Sequence, residues 1–282
     1  MKVITKITLS VALICIGVGI GLLFIAGGRR SSFKYTSAYS VENTVKDVKR
    51  MEISIDYGEL TITQGDEFSI SANNLYNTDD LNSYVSDGTW VISHDTSYGF
   101  RLFGFSIPVS IGGIEDFNSP RIYITVPKDF HAEEIKVILN AGVLRTDNLS
   151  ADRGRFKVNA GFLEIDGLEI NEEINVSVDA GYIKLKKVDI KNLIADCNIG
   201  SINIAGLVTG DNRVYCDLGK IKLDIDDNMD NYSFDIDSDF GNVIINDRSY
   251  YKRNINRYSS NDKGNFLLRV NLGNVSLDFR DR

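Results

Sequence analysis

The sequence predicts an all-β fold, a parallel β-solenoid with about 19–20 residues per coil. The first observation is a recurring motif: an Asn or Asp (Asx below), any residue, a Gly, any residue, then two aliphatic residues separated by one more, as in residues 179–185. The second is the central spacing of 19, 20, 19, 19 and 22 residues between successive motif glycines, within the set Gly58, Gly142, Gly161, Gly181, Gly200, Gly219, Gly241 and Gly273. A repeat of this length is typical of coils that bury their apolar faces only by stacking.

The N-terminal segment predicts a single membrane span. No charged residue occurs from Ile7 to Gly28, and 22 residues at about 1.5 Å each make a helix of roughly 33 Å. A cleavable signal peptide is the alternative, since Ala26 and Gly28 are small residues of the kind found at cleavage sites. We therefore divide the chain into a membrane anchor or signal peptide (1–30), a polar stalk (31–48) and a solenoid domain (49–282).

Two segments interrupt the repeat and are interpreted as insertions, near residues 73–120 and 246–265. The first contains the most apolar stretch of the body, residues 100–111, with Phe103 and Phe105. The second is basic and aromatic, and includes Tyr251 and Arg253. A basic, aromatic loop on an acidic protein is suited to anionic envelope polymers or lipid head groups, although a solvated loop is the simpler interpretation.

Between the insertions, alternation of apolar and polar residues predicts which side chains face inward. Positions three and one before each Asx, and two and four after each Gly, are mostly aliphatic. These columns include Val137, Phe156, Val176, Ala195, Val214, Ile236 and Leu268, and Leu144, Leu163, Ile183, Ile202, Ile221, Val243 and Val275. Each motif is therefore a strand, a corner at Asx-x-Gly and a second strand, paired in parallel with the next coil.

The charge balance argues against nucleic-acid binding. The formal net charge is -8, and without the first thirty residues the chain holds 27 basic and 39 acidic residues. An acidic body lacks the basic face that displaces counterions from a phosphate backbone.

The repeats, the N-terminal apolar segment and the strand of residues 122–127 together resemble bacterial β-strand-repeat proteins of unknown function described as adhesin-like. The resemblance covers roughly residues 50–282. It implies a surface-facing, membrane-anchored envelope protein whose solenoid lies outside the cell, and it carries no catalytic residues.

The sharpest functional hint is an outward apolar column one position after Gly. Val143, Phe162 and Tyr182 occupy it in the early coils, where polar residues stand in the later ones. An exposed apolar stripe requires a cover or a partner. We expect the first insertion to fold over part of this stripe, leaving the remainder as a contact surface for another envelope protein.

Metal and thiol sites have weaker support. The Asx column is expected to cap its own turns rather than to bind Ca²⁺. The acidic stretch at residues 224–235 has the ligand spacing of a calcium-binding loop, but Met229 replaces the turn Gly. Cys197 and Cys216 share an inward column, and we expect two free core thiols rather than a disulfide.

No motif predicts catalysis. The two histidines, His94 and His131, have no accompanying nucleophile motif, and no cofactor or metal site is expected. The sequence therefore predicts a non-enzymatic, single-pass envelope binding or structural module. The alternatives are an accessory or sensor of an envelope-stress system and, less favoured, a glycan-active solenoid enzyme.

Overall fold

The computed structural model describes residues 39–42, 48–75, 78–95, 99–102, 105–108, 119–250, 254–261 and 263–280. Within them lie β1 (Tyr39–Glu42), β2 (Arg50–Gly65), β3 (Ser69–Asn73), β4 (Leu81–Ser86), β5 (Thr89–His94), β6 (Gly99–Leu102), β7 (Phe105–Pro108), β8 (Arg121–Pro127), β9 (Ala132–Lys191), β10 (Leu193–Ile225), β11 (Tyr232–Phe240), β12 (Val243–Ile245), β13 (Arg248–Tyr250), β14 (Asn254–Arg257) and β15 (Gly264–Phe279). In the described part of the chain, no helix has the length and apolarity to cross a bilayer. The predicted span lies outside these residues.

The chain divides into two units. One contains β6 and β7, which pair as an antiparallel hairpin with Phe100 opposite Ile107. The other comprises residues 36–97 and 119–282 and holds all the remaining strands of the described chain. It is this second unit that forms the predicted solenoid.

The solenoid is a stack of parallel rungs, which we number along the stack. Rung 1 consists of β5 and β8, and rung 2 is β2, with which both of those strands pair in parallel. β9 and β10 then wind through five further rungs, and β10 pairs in parallel with β9 with one register shift between Ile204 and Gly206. The rungs from 2 to 9 have their corners at Gly58, Gly142, Gly161, Gly181, Gly200, Gly219, Gly273 and Gly241, in that order.

The predicted core columns are confirmed. Every inward position of the four columns between Val137 and Leu277 is buried. The positions between them are half-buried or exposed, as a period of two requires. Each rung therefore adds a layer of aliphatic side chains to one continuous core.

The corner requires glycine for a steric reason. A Cβ built on Gly200 would lie 1.6 Å from the carbonyl oxygen of Gly181, and a Cβ on Gly219 equally close to that of Gly200. The corner glycines with a positive φ have values between +124° and +153°, which side chains disfavour. Close rung-to-rung approach at this corner thus explains why the motif repeats.

The order of the rungs corrects our expectation that successive coils are always neighbours. β15, the last strand of the chain, lies between the last coil of β10 and the coil formed by β11 and β12. Rung 8 is therefore later in sequence than rung 9. The N-terminal end shows the same exchange, because β2 forms rung 2 and the chain reaches rung 1 only afterwards.

Both ends of the stack are covered by antiparallel strands. β3 and β4 pair with β8 and β5 on rung 1, and β14 and β13 pair with β11 and β12 on rung 9. An uncovered parallel edge would offer unpaired backbone groups to other chains. The antiparallel strands therefore act as the caps that a repeat protein needs.

Small polar side chains occupy the inward column one position before Asx on rungs 6, 7 and 9. The Cys197 thiol donates to the carbonyl of Gly181 at 3.9 Å, Cys216 to that of Gly200 at 3.8 Å, and the Ser238 hydroxyl to that of Gly273 at 3.2 Å. Both thiols are free and buried. The neighbouring Cys216 thiol, followed by burial, raises the pKa of Cys197, so this thiol stays protonated.

A buried histidine predicts a pH dependence of stability. His94 on rung 1 is 2% exposed, and neither ring nitrogen has a hydrogen-bond partner in the structure. Burial lowers the pKa of His94, against the opposing charges of Asp80 and Asp56. Below its ordinary pKa of about 6.5 the unfolded chain therefore binds a proton that the folded protein resists, and stability falls by up to about 1.4 kcal/mol per pH unit.

Urea denaturation between pH 7.5 and 5.5 measures this slope, with those pH values chosen to lie about one unit either side of the unfolded pKa. His94→Leu should flatten it, because the column neighbours Ile55 and Leu139 show that an aliphatic side chain fits there. His131→Ala, measured in parallel, reports the contribution of the other histidine of the chain. Equal slopes in the wild type and His94→Leu would refute the assignment.

Candidate functional site

The outer side of the Asx-x-Gly corner carries one bulky apolar side chain on every rung from 3 to 9. On rungs 3 to 5 it follows the corner Gly, and the residue before Gly is Ala. On rungs 6 to 9 it precedes the corner Gly, and the residue after Gly is polar. We call these seven side chains the corner strip: Val143, Phe162, Tyr182, Ile199, Leu218, Leu272 and Phe240.

The strip is exposed along most of its length. Phe162 is 42%, Ile199 50%, Leu272 45% and Phe240 55% exposed, and the others are half-buried. Seven rungs separated by about 4.8 Å make the strip about 29 Å long. Singly exposed apolar residues need no explanation, but a continuous row of them indicates a contact surface.

The structure brings together the three stripe residues that the sequence singled out. The rings of Phe162 and Tyr182 are neighbours, with centroids 4.4 Å apart, and Val143 lies on the adjoining rung. The Tyr182 hydroxyl donates to Glu164 Oε1 at 2.8 Å. Burial raises the pKa of Glu164, but hydrogen bonds from Tyr182, Lys184 and Arg145 outweigh it and lower that pKa overall. Glu164 is thus a charged anchor that fixes the tyrosine ring.

The other half of the strip escaped the sequence reasoning. Ile199, Leu218, Leu272 and Phe240 stand one position before Gly, a column in which rungs 3 to 5 have Ala. The signal was present as a change from Ala to bulky residues at this position. These residues form one continuous row with Val143, Phe162 and Tyr182, which is seen only when the positions before and after the glycine are compared together.

The remaining predicted contact residues are not tested. Phe103, Tyr251 and Arg253 lie outside the described residues. Phe105 belongs to β7, whose side chains are not described. Whether the first insertion covers the strip therefore stays a prediction.

The Asx column flanks the strip and links the rungs. We expected each Asx to cap its own turn, but the amide groups donate across rungs instead. The bonds run from Asn140 to Asp56 at 3.0 Å, Asn159 to Asn140 at 2.9 Å, Asn198 to Asp179 at 3.4 Å and Asn271 to Asp217 at 2.8 Å. Sequence order implied that Asp217 and Asp239 are neighbours. In the structure they are not, because Asn271 lies between them.

Acidic side chains at residues 224–235 are engaged separately rather than converging. Asp224 pairs with Lys222 and Arg280, Asp230 with Arg257, and Asp235 with Arg269. The Asn228 side chain accepts from the Asp230 backbone and caps a 3₁₀ turn. Among the described residues, no group of three or more His, Cys, Asp or Glu side chains is placed to hold a metal ion.

Basic residues of the second insertion contact acids of the same protein. Arg257 pairs with Asp230 and Lys263 with Asp227, which reduces the positive charge this loop can offer to a polymer. Tyr258 beside them is 88% exposed. It borders an open cleft of about 370 Å³ that Arg213 and Asp235 also line.

His131 lies between Ser150 and Asp152 on the outward face. Its Nδ1 is 2.7 Å from Ser150 Oγ and its Nε2 2.9 Å from Asp152 Oδ1. The hydrogen bond from His131 is the main cause that lowers the pKa of Asp152. The order of groups is that of a nucleophile, a base and an acid. However, Ser150 lies inside β9, a strand whose backbone N–H groups are ordinarily used in ladder pairing rather than left to stabilise an oxyanion.

Comparison with known proteins places these features in context. The family model described as Toastrack DUF4097 matches residues 48–278. A solved structure of a candidate adhesin from Bacteroides fragilis shares 11% identity, with 86% of this chain and 97% of that chain covered and a TM-score of 0.46. A candidate cell adhesion protein from Clostridium sporogenes shares 11% identity over 86% and 99%, with a TM-score of 0.38. No curated protein sequence matches.

Proposed function

The chain belongs to the Toastrack DUF4097 family, and on that premise we propose that it is a non-enzymatic, adhesin-like binding module of the bacterial envelope. The solenoid is held at the cell membrane by residues 1–30 and acts outside it. Its corner strip binds a protein partner.

The observation that carries this proposal is the one bulky apolar side chain per rung across seven rungs. The inward columns supply all the apolar side chains that the solenoid core needs. The fold therefore does not require bulky apolar residues on the outside of a corner. Ala at the same position on rungs 3 to 5 shows that a small residue suffices there. Exposed aromatic and aliphatic side chains in a row supply the apolar centre of an interface, and the Asx column supplies its polar rim.

Site-specific photocrosslinking tests the proposal in the native cells. A photoreactive phenylalanine analogue replaces Phe162 or Leu272 in the full chain, and the controls carry it at Arg155 or Asn203, which are exposed and outside the strip. We expect adducts of higher mass from the two strip positions, recovered in the membrane fraction. Equal yields at strip and control positions, or none at either, would contradict a contact role for the strip.

A further inference from the structure

We propose that the partner of the corner strip is a second copy of this chain, packed strip against strip with the two stacks parallel and a two-fold axis running along them. This inference rests on the proposed function and names its partner. Each rung then faces the same rung of the other copy.

Side-chain sizes on the strip suit this arrangement. A two-fold axis along the stack, passing between the corner Gly and the residue before it, sets the residue after Gly in one copy against the Asx column in the other, with the residue before Gly beside it. On rungs 4 and 5 the aromatic rings of Phe162 and Tyr182 would therefore lie over Ala160 and Ala180 of the second copy, where both alanines are exposed. On rungs 6 to 9 the bulky residues before Gly meet near the axis. On rungs 4 and 5, where the bulky residues follow Gly and lie away from the axis, large side chains are thus placed beside small ones. On rungs 6 to 9, where the bulky residues precede Gly and lie close to the axis, they contact each other.

Charges on the two flanks favour the parallel orientation. On rung 7, Asp217 of one copy would face Lys220 of the other, and the two-fold axis repeats the pair. On rungs 5 and 9, Asp179 and Asp239 would face Tyr182 and Asn242, neither of which is charged near neutral pH. Within rungs 3 to 9, no like charges meet between the Asx column and the column after Gly.

The antiparallel orientation is less favourable. It sets the Asx column against the Asx column, so that Asp179, Asp217 and Asp239 approach their counterparts when the contact is centred on rung 7. It also leaves Lys220 facing a column that has no acid between rungs 3 and 9. Like charges directly opposed across an interface select against a partner or orientation.

The contact is small enough to be concentration-dependent. A strip about 29 Å long and one side chain wide, with its flanks, is at the lower end of the size of specific interfaces. Copies concentrated in one membrane favour such a contact, because tethering raises their effective concentration. The parallel orientation also directs both chains toward the same membrane.

Cysteine crosslinking of the full chain in membranes tests the orientation. Ile199→Cys on rung 6 and Leu272→Cys on rung 8 are made separately in a Cys15→Ser, Cys197→Ala, Cys216→Ala background, with Asn203→Cys as the off-strip control. A parallel two-fold axis brings each strip cysteine to its own copy, so both variants should shift from the 31.4 kDa chain to a dimer on oxidation. An antiparallel contact permits self-crosslinking at one rung at most, and at neither of these two rungs when it is centred on rung 7.

A charge exchange on rung 7 tests the pairing. Lys220→Asp should reduce dimer yield at Leu272→Cys about fivefold, and adding Asp217→Lys should restore it. Thermal denaturation of both variants excludes a loss of folding.

The outcomes separate this inference from the proposed function. Dimers at both rungs, with rescue by the charge exchange, support it. Self-crosslinking at one rung only overturns the parallel arrangement. No dimer at either rung, with photocrosslinks from Phe162 to other proteins, overturns the self-partner and leaves the proposed function intact. Failure of both kinds of crosslinking overturns both.

Discussion

Replacing Gly181 by Ala is expected to break the stack at rung 5 and to lower the free energy of unfolding by about 3 kcal/mol or more. The new Cβ would lie 1.7 Å from the Gly161 carbonyl oxygen and 2.8 Å from its carbonyl carbon, and φ at this position is +142°. The obstructing atoms are backbone, so no side-chain rotation relieves the clash. Rungs 4 and 5 would have to separate while each remains bonded to its other neighbour.

Urea denaturation of the purified protein measures the effect, and Ala180→Ser is the matched control. Ala180 is the adjacent residue and is exposed, so its replacement by Ser should change stability by less than about 0.5 kcal/mol. A Gly181→Ala variant as stable as Ala180→Ser would show that the corner glycines are not held by rung-to-rung contact.

The periodic part of the fold could be predicted from the sequence because its physics is local and repeated. Alternation assigned Phe156 and Ile183 to the core, and the regular spacing placed Gly161 and Gly181 at one corner. The same reasoning identified the first half of the strip at Phe162 and Tyr182. This reasoning failed where two coils are adjacent in the stack but not consecutive in the sequence.

The position of β15 illustrates that failure. Period counting treats the Gly219, Gly241 and Gly273 coils as successive, whereas the structure inserts the last between the other two. The Asx column contained an indication of this order. In sequence order Asp217 and Asp239 would stack directly on each other, whereas in the structure Asn271 separates them. Like-charge stacking is costly between adjacent strands, and the amide of Asn271 replaces it with a hydrogen bond to Asp217.

Deleting residues 264–282, although they are the end of the chain, is therefore expected to remove a rung from inside the stack rather than its last rung. The deletion takes away rung 8, including the buried side chains of Phe266, Leu268, Val270, Val275 and Leu277. At about 1.5–3 kcal/mol each, their burial is worth on the order of 10 kcal/mol, comparable to the whole stability of a domain. Rungs 7 and 9 would each lose a parallel neighbour.

Limited proteolysis and thermal denaturation measure the consequence, with a chain lacking only residues 281–282 as the control. We expect rapid cleavage between residues 226 and 263 and a lower melting temperature in the truncated chain, and neither in the control. The opposing possibility is that rung 9 docks directly on rung 7. That arrangement would place Asp239 beside Asp217 without the intervening amide, at a cost that grows as both carboxylates ionise. A truncated chain with the protease resistance and melting temperature of the control would show that rung 8 is dispensable, and would contradict an interior role for β15.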